Sequence, residues 1–236
     1  MTNILLYIVF PYVAIALAIV GGIYRYFGDR FSFSSLSSQL LENRALFWGV
    51  VPWHYGIVSV LLAHIFPLII PVWWGLLHRG PGRLTALELV GMALGLMALV
   101  GIVILIVRRL VNTKARAVTS VMDWLLLVLL LLQVTLGVYI TSTYRWGSFW
   151  YLYTAVPWLR SLASFHPDAA TVLPLPLAVK AHMVNAFVLI LLFPFTRLAH
   201  IFTFPARYVL RSWQLVFWNR QQRMLKLSHR FYSEEK

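Results

Sequence analysis

Five stretches of the chain are apolar over lengths that match a lipid bilayer: Ile4–Tyr26, Phe47–Leu77, Leu84–Val107, Val121–Ile140 and Leu175–Phe204. An α-helix rises 1.5 Å per residue, so about 20 apolar residues cross a hydrocarbon core of about 30 Å. Each stretch is long enough. The second and fifth exceed the need, and Pro67, Pro71 and Pro194 offer places for tilt or kinks. Hydrophobic residues make up 61% of the 236 and charged ones 11%, against roughly 45–50% and about 25% in soluble domains. The expected fold is therefore all-α, a polytopic membrane protein with five transmembrane helices in a bundle. The first 24 residues carry no Lys or Arg, so a signal peptide's basic leader is missing and the first helix is expected to stay. Residues 1–208 are expected to form the transmembrane domain, and 209–236 a basic cytoplasmic tail.

A net charge of +13 would suit a nucleic-acid partner in a soluble protein, but here its distribution gives another reading. With five spans, fifteen Lys and Arg fall on the side of the C-terminus, from Arg25 and Arg30 through Arg108, Arg109, Lys114 and Arg116 to the tail. Only Arg79, Arg83, Arg145, Arg160 and Lys180 fall on the other. The positive-inside rule then puts the C-terminus in the cytoplasm and the N-terminus outside a multi-pass protein of the cytoplasmic membrane. No nucleic-acid partner is expected. The connection from Thr141 to Pro174 holds Tyr144, Trp146, Trp150, Tyr151, Tyr153 and Trp158; it reads as an aromatic belt along the outer surface.

Cysteine is absent, which removes disulfides, Cys-held zinc and any iron–sulfur cluster on this chain. Histidine remains. His78, His166 and His229 sit in loops or the tail, where a solvated side chain is expected. His54 and His64 lie in span two, His182 and His200 in span five. An ionisable group at membrane depth is costly and is by default a functional hypothesis.

The two spans run in opposite directions, so depth pairs the histidines. His54 comes early in span two and His200 late in span five, both near the inside. His64 and His182 both fall toward the outside. The ten residues between His54 and His64 span about 15 Å, and the eighteen between His182 and His200 about 27 Å. Eighteen residues make five full turns of an ideal helix and set His182 and His200 on one face, whereas ten leave His54 and His64 about 80° apart. Two facing pairs of imidazoles at different depths are what two six-coordinate haems require. Neutral imidazole adds no charge to the bilayer, and zinc would want more protein ligands than two.

The chain resembles the gamma subunit, a di-haem cytochrome b, of membrane-bound respiratory nitrate reductase. The resemblance rests on Phe193-Pro194-Phe195-Thr196-Arg197-Leu198-Ala199-His200-Ile201 followed by Pro205, and on His54, His64 and His182 at the family's spacings. Ser37-Ser38-Gln39-Leu40-Leu41, Arg108-Arg109-Leu110, the stretch from Arg116 to Asp123, Gln133 with Gly137, and Phe165-His166 also match. The resemblance implies two haem b, the inner on His54 and His200 and the outer on His64 and His182. It implies quinol oxidation near the outer haem, and electrons passed to a cytoplasmic iron–sulfur subunit and a molybdenum-containing catalytic subunit that reduces nitrate. The family carries a basic residue near Arg83, which is the expected contact for a quinol oxygen. The chain departs from the family between spans four and five, where it lacks some of the family's loop histidines and carries more aromatics.

Three other readings stand beside this one: a di-haem cytochrome b of another quinone-linked oxidoreductase, a transporter or proton channel, and a passive anchor. The second would be expected to hold an embedded acidic relay, whereas Glu88 and Asp123 stand only at span ends.

Overall fold

The computed structural model describes residues 1–28 and 44–201. The serine-rich segment from Ser32 to Ser38, the boundary drawn at residue 208 and the basic tail lie outside the described residues. Five helices are long and apolar enough to cross a membrane: Thr2–Gly28, Ala45–Ile69, Pro81–Val111, Val121–Thr143 and Leu177–Phe195. Their outward faces carry bare aliphatics such as Ile19, Val20, Leu62, Val100 and Val128, a surface that suits lipid and not water.

Proline sets the shape of three of these helices. In α1 (Thr2–Gly28) Pro11 offers no N–H to the Tyr7 carbonyl four residues back. The helix widens ahead of it into a π turn at Leu5–Val9, and the freed Tyr7 carbonyl accepts from the Trp158 indole at 2.9 Å. The second span does not run as one helix to Leu77; it breaks at Pro71, one of the prolines expected to permit a kink. α2 runs Arg44–Ile69, Ile70 leaves helical geometry at φ −128° and ψ 67°, and α3 restarts at Pro71–Leu77. The residue before a proline is driven out of the helical region by the ring, and Ile70 is that residue. The third case, at Pro194, shapes the site below.

α4 (Pro81–Val111) opens with proline in its first turn, after Gly80 at φ 99°. The short α5 (Thr113–Ala117) is capped by Asn112, whose side chain accepts from the Ala115 N–H at 3.0 Å. α6 (Val121–Thr143) begins with a reciprocal cap between Ser120 and Asp123. Beyond it, α7 (Gly147–Tyr153) and α8 (Ala155–Ala163) make up most of the aromatic connection, and α9 spans Leu177–Leu192.

The connection is not a uniform belt. Trp146, Phe149 and Tyr153 are exposed, but Trp158 is 2% exposed, wedged between Tyr7 and Phe187. It belongs to a core with Ala14, Ile140, Leu162, Val179 and Met183 that joins α1, α6, α8 and α9. Glu88, expected only to mark a span end, ties the connection to α4. Its carboxylate accepts from the Trp146 and Ser148 N–H groups, both at 3.1 Å. That placement at the start of α7 complements the helix dipole and holds Trp146 in its left-handed conformation, φ 65°.

α2 packs against α4 more closely than side chains would allow elsewhere. A methyl group on Gly56 would lie 2.6 Å from the Ala98 nitrogen, and one on Gly101 would meet the Trp53 backbone, with Cα at 2.7 Å. Without a hydrophobic drive between helices in lipid, small residues permit the close approach that association needs. α4 then packs on α6, α6 on α9, and α9 on α1. A second core of Trp53, Ala98, Ile102, Leu127 and Val134 fills the space between α2, α4 and α6.

Candidate metal centres between α2 and α9

The four intramembrane histidines meet in two pairs. The rings of His54 and His200 stand 6.1 Å apart between centres with planes at 75°. Those of His64 and His182 stand 6.4 Å apart at 38°. Early meets late in both pairs, so α2 and the chain from α9 onward run antiparallel across the gap. His200 reaches its partner by a different path from the one expected. The fifth span ends as an α-helix at Leu192, and His200 sits in a separate 3₁₀ turn, Arg197–Ile201. The five-turn face argument therefore fails, because Pro194 interrupts the helix between the two histidines. The pairing arises instead from the bend.

All four rings are held by the same nitrogen. Nδ1 of His54 donates to the Val50 carbonyl at 2.8 Å, that of His64 to Val60 at 2.7 Å, and that of His200 to Arg197 at 2.6 Å. His182 differs: its Nδ1 donates across to α6, to the Gln133 carbonyl at 3.1 Å. A hydrogen bond from Nδ1 fixes the tautomer in which Nε2 carries the lone pair that binds a metal.

The spacing fits one metal per pair. A histidine nitrogen binds a transition-metal ion at about 2 Å with its ring centre about 1 Å behind, so trans imidazoles on one ion stand about 6 Å apart. Among the described residues no three His, Asp or Glu side chains converge as a metal site. Each pair would thus supply two protein ligands, a set that fits a haem iron and is too small for a structural zinc.

The surroundings of the two pairs differ. Around His64 and His182, Tyr151 of the connection donates its hydroxyl to the His64 carbonyl at 3.1 Å and sets its ring 5.4 Å from the imidazole. Burial pushes the Tyr151 hydroxyl up to about 12, so it stays a donor at any physiological pH. Gly137 lets α6 approach His182, since a Cβ there would sit 3.3 Å from Cε1. The Gln133 side chain lies 3.3 Å from His182 Nε2 and accepts from Asn185 at 2.7 Å. At the other pair, Asp123 and Arg197 form an ion pair at 2.7 Å. None of these contacts was predicted from the sequence; the hints were the positions of Gln133, Gly137, Asp123 and Arg197 among the family-like residues.

Arg83 lies in the first turn of α4 and is exposed. His166 is exposed, as expected. His78 is not: it is 7% exposed and sits against Trp74 and Phe149, with ring centres at 5.2 and 6.3 Å. The break at Ile70 folds α3 back under the connection and takes His78 out of solvent. His229 lies outside the described residues.

Comparison with known proteins matches the chain over nearly its whole length. The family model described as nitrate reductase gamma subunit matches residues 3–219. The nitrate reductase gamma chain of Bacillus subtilis (strain 168) is 36% identical over 217 residues, covering 90% of this chain and 97% of that one. The respiratory nitrate reductase 1 gamma chain of Escherichia coli (strain K12) is 31% identical over 222 residues, covering 91% and 96%. The respiratory nitrate reductase 2 gamma chain of the same organism is 30% identical over 225 residues, again covering 91% and 96%.

Proposed function

Because the chain belongs to the nitrate reductase gamma subunit family, we propose that it is the quinol-oxidising, di-haem cytochrome b subunit of a respiratory nitrate reductase. The observation that carries this reading is the pair of ring separations, 6.1 and 6.4 Å. Each is a separation at which two imidazoles would hold one iron between them. His54 and His200 hold one haem b, and His64 and His182 the other. Haem iron supplies one-electron redox chemistry, which joins a two-electron quinol donor to an iron–sulfur acceptor.

The chain's own residues then do the following. The four Nδ1 hydrogen bonds hold each ligand in its metal-binding tautomer and raise its basicity. Fifteen Lys and Arg on one side against five on the other support an N-terminus outside and a C-terminus in the cytoplasm. The His64–His182 pair then faces out and the His54–His200 pair in. Quinol is oxidised beside His64 and His182, so its two protons leave outside while its electrons move inward. Arg83, at the same end of the bundle, orients a quinol oxygen. The cytoplasmic end, with the basic tail 209–236, docks the iron–sulfur subunit, since no cysteine on this chain could hold the next cluster. A molybdenum-containing subunit beyond it reduces nitrate.

Membranes with and without this chain test the reading, assayed with a quinol and with a soluble dye that reduces the catalytic subunits directly. Loss of the quinol-driven rate alone, with dye-driven nitrate reduction kept in the extract, is expected. Quinol-driven nitrate reduction that persists without the chain would contradict it.

A further inference from the structure

His200 is the one member of the four that no regular helix holds. Pro194 has no N–H, and the Ile190 carbonyl is taken instead by Phe193 as the helix tightens. Thr196 is then extended, at φ −120° and ψ 177°, and a five-residue 3₁₀ turn carries His200. Such turns have poor hydrogen-bond geometry and hold a side chain weakly by themselves. Among the described residues, side chains from two other helices hold this one. Arg25 of α1 donates to the Pro194 carbonyl at 2.5 Å and to that of Thr196 at 3.4 Å. Asp123 of α6 accepts from Arg197 Nε at 2.7 Å, while Arg197 Nη2 reaches the Val118 carbonyl at 3.3 Å.

The second clamp leads directly to the histidine. The Arg197 carbonyl is the acceptor of His200 Nδ1, at 2.6 Å. The Asp123 carboxylate, 7% exposed, is itself fixed, because Oδ2 accepts from the Ser120 N–H at 3.0 Å. We propose that Asp123 and Arg197 are a positioning pair for His200: by anchoring Arg197 to the start of α6, the ion pair holds the carbonyl that sets the tautomer, orientation and basicity of the His200 ring. This rests on the reading of His54 and His200 as ligands of an iron centre. Among the described residues no comparable device serves His54 or His64, whose acceptors are carbonyls of their own continuous helix.

Partners one step behind a metal-binding histidine are typically worth 10–100-fold in metal affinity. Arg197→Met alone would strand a buried carboxylate and could unfold the segment for that reason. The informative variant is Asp123→Asn with Arg197→Met. It removes the ion pair without leaving an unpaired carboxylate, leaves the net charge unchanged and keeps a cap acceptor for Ser120. The intact complex carrying it is compared with the parent by haem content, redox titration and low-temperature electron paramagnetic resonance. The expected result is a change of about tenfold in the ferric-over-ferrous preference of the His54–His200 centre, an upward shift of about 59 mV for one electron. The sign follows from a less basic imidazole stabilising ferric iron less. The His64–His182 centre keeps its potential and signal, and Arg197→Lys alone recovers most of the parent's values. Two centres with the parent's potentials and signals in the double variant would overturn the inference and leave the haem reading intact. Equal damage to both centres would also overturn it. A parent complex with no haem on this chain would sink the haem reading, and the inference with it.

Discussion

Gly137 gives the most quantitative handle on the His64–His182 centre. A Cβ at this position would lie 3.3 Å from Cε1 of His182 and 3.9 Å from its Nδ1. Carbon atoms sit comfortably at about 3.5–4.0 Å, so Gly137→Ala asks the ring to give by a few tenths of an ångström. Gly137→Val carries a further carbon about 1.5 Å beyond the Cβ, which asks for a displacement that neither the 3.1 Å hydrogen bond to Gln133 nor a metal bond can follow. Overpacking of this kind costs about 1–3 kcal/mol. At 1.4 kcal/mol per tenfold, haem retention at this pair should weaken by roughly fivefold to somewhat over a hundredfold. The assay is haem stoichiometry and reduced-minus-oxidised spectra of the purified complex after graded detergent washing. The alanine variant should keep two haems with one signal displaced, and the valine variant should lose one haem and keep the His54–His200 signal. A valine variant with both haems and unchanged spectra would refute the reasoning, since the ring would then not be seated against α6.

Three further outcomes follow from the fold. Trp158→Phe keeps a buried ring but withdraws the donor from the Tyr7 carbonyl, so it should cost about 1–3 kcal/mol; thermal unfolding in detergent should show that cost shrinking in a Pro11→Ala background, where a restored N–H can serve the carbonyl. Gly56→Leu should separate α2 from α4, seen as a lower unfolding temperature and loss of haem from the purified protein, because a Cβ there already meets the Ala98 nitrogen at 2.6 Å. Arg83→Ala should raise the KM for quinol or abolish the quinol-driven rate while both haems and the dye-driven rate persist; unchanged quinol kinetics would return Arg83 to a headgroup-facing role.

The spans were legible because about 20 apolar residues in a row have few uses outside a bilayer. The depth pairing of the histidines was legible because five spans fix the direction of each helix. The helix faces were not. A transmembrane helix is apolar toward lipid and toward protein alike, so its hydrophobic pattern does not mark the buried side. That is why the glycine contact of Gly56 and Gly101 went unread and why the five-turn spacing of His182 and His200 misled. Pro194 was visible in the sequence, but a kink and a complete stop differ only in whether other groups satisfy the freed carbonyls. Here Arg25 donates to the Pro194 and Thr196 carbonyls from a distant helix, and Asp123 on another accepts from Arg197. His78 and Trp158 were misplaced for a related reason: the carbonyl left by Pro11 and the break before Pro71 draw loop aromatics into the bundle, and such long-range partners leave no local pattern.

The pairing of ligands across the two helices is the centre of this account. The direct measurement is the set of four single variants, His54→Ala, His64→Ala, His182→Ala and His200→Ala, each expressed with the whole complex and examined by redox-resolved haem spectra. His54→Ala and His200→Ala should lose one and the same haem, His64→Ala and His182→Ala the other, each variant keeping a single remaining haem. If His54→Ala and His64→Ala removed the same haem, or if all four left both haems in place, the pairing would be wrong.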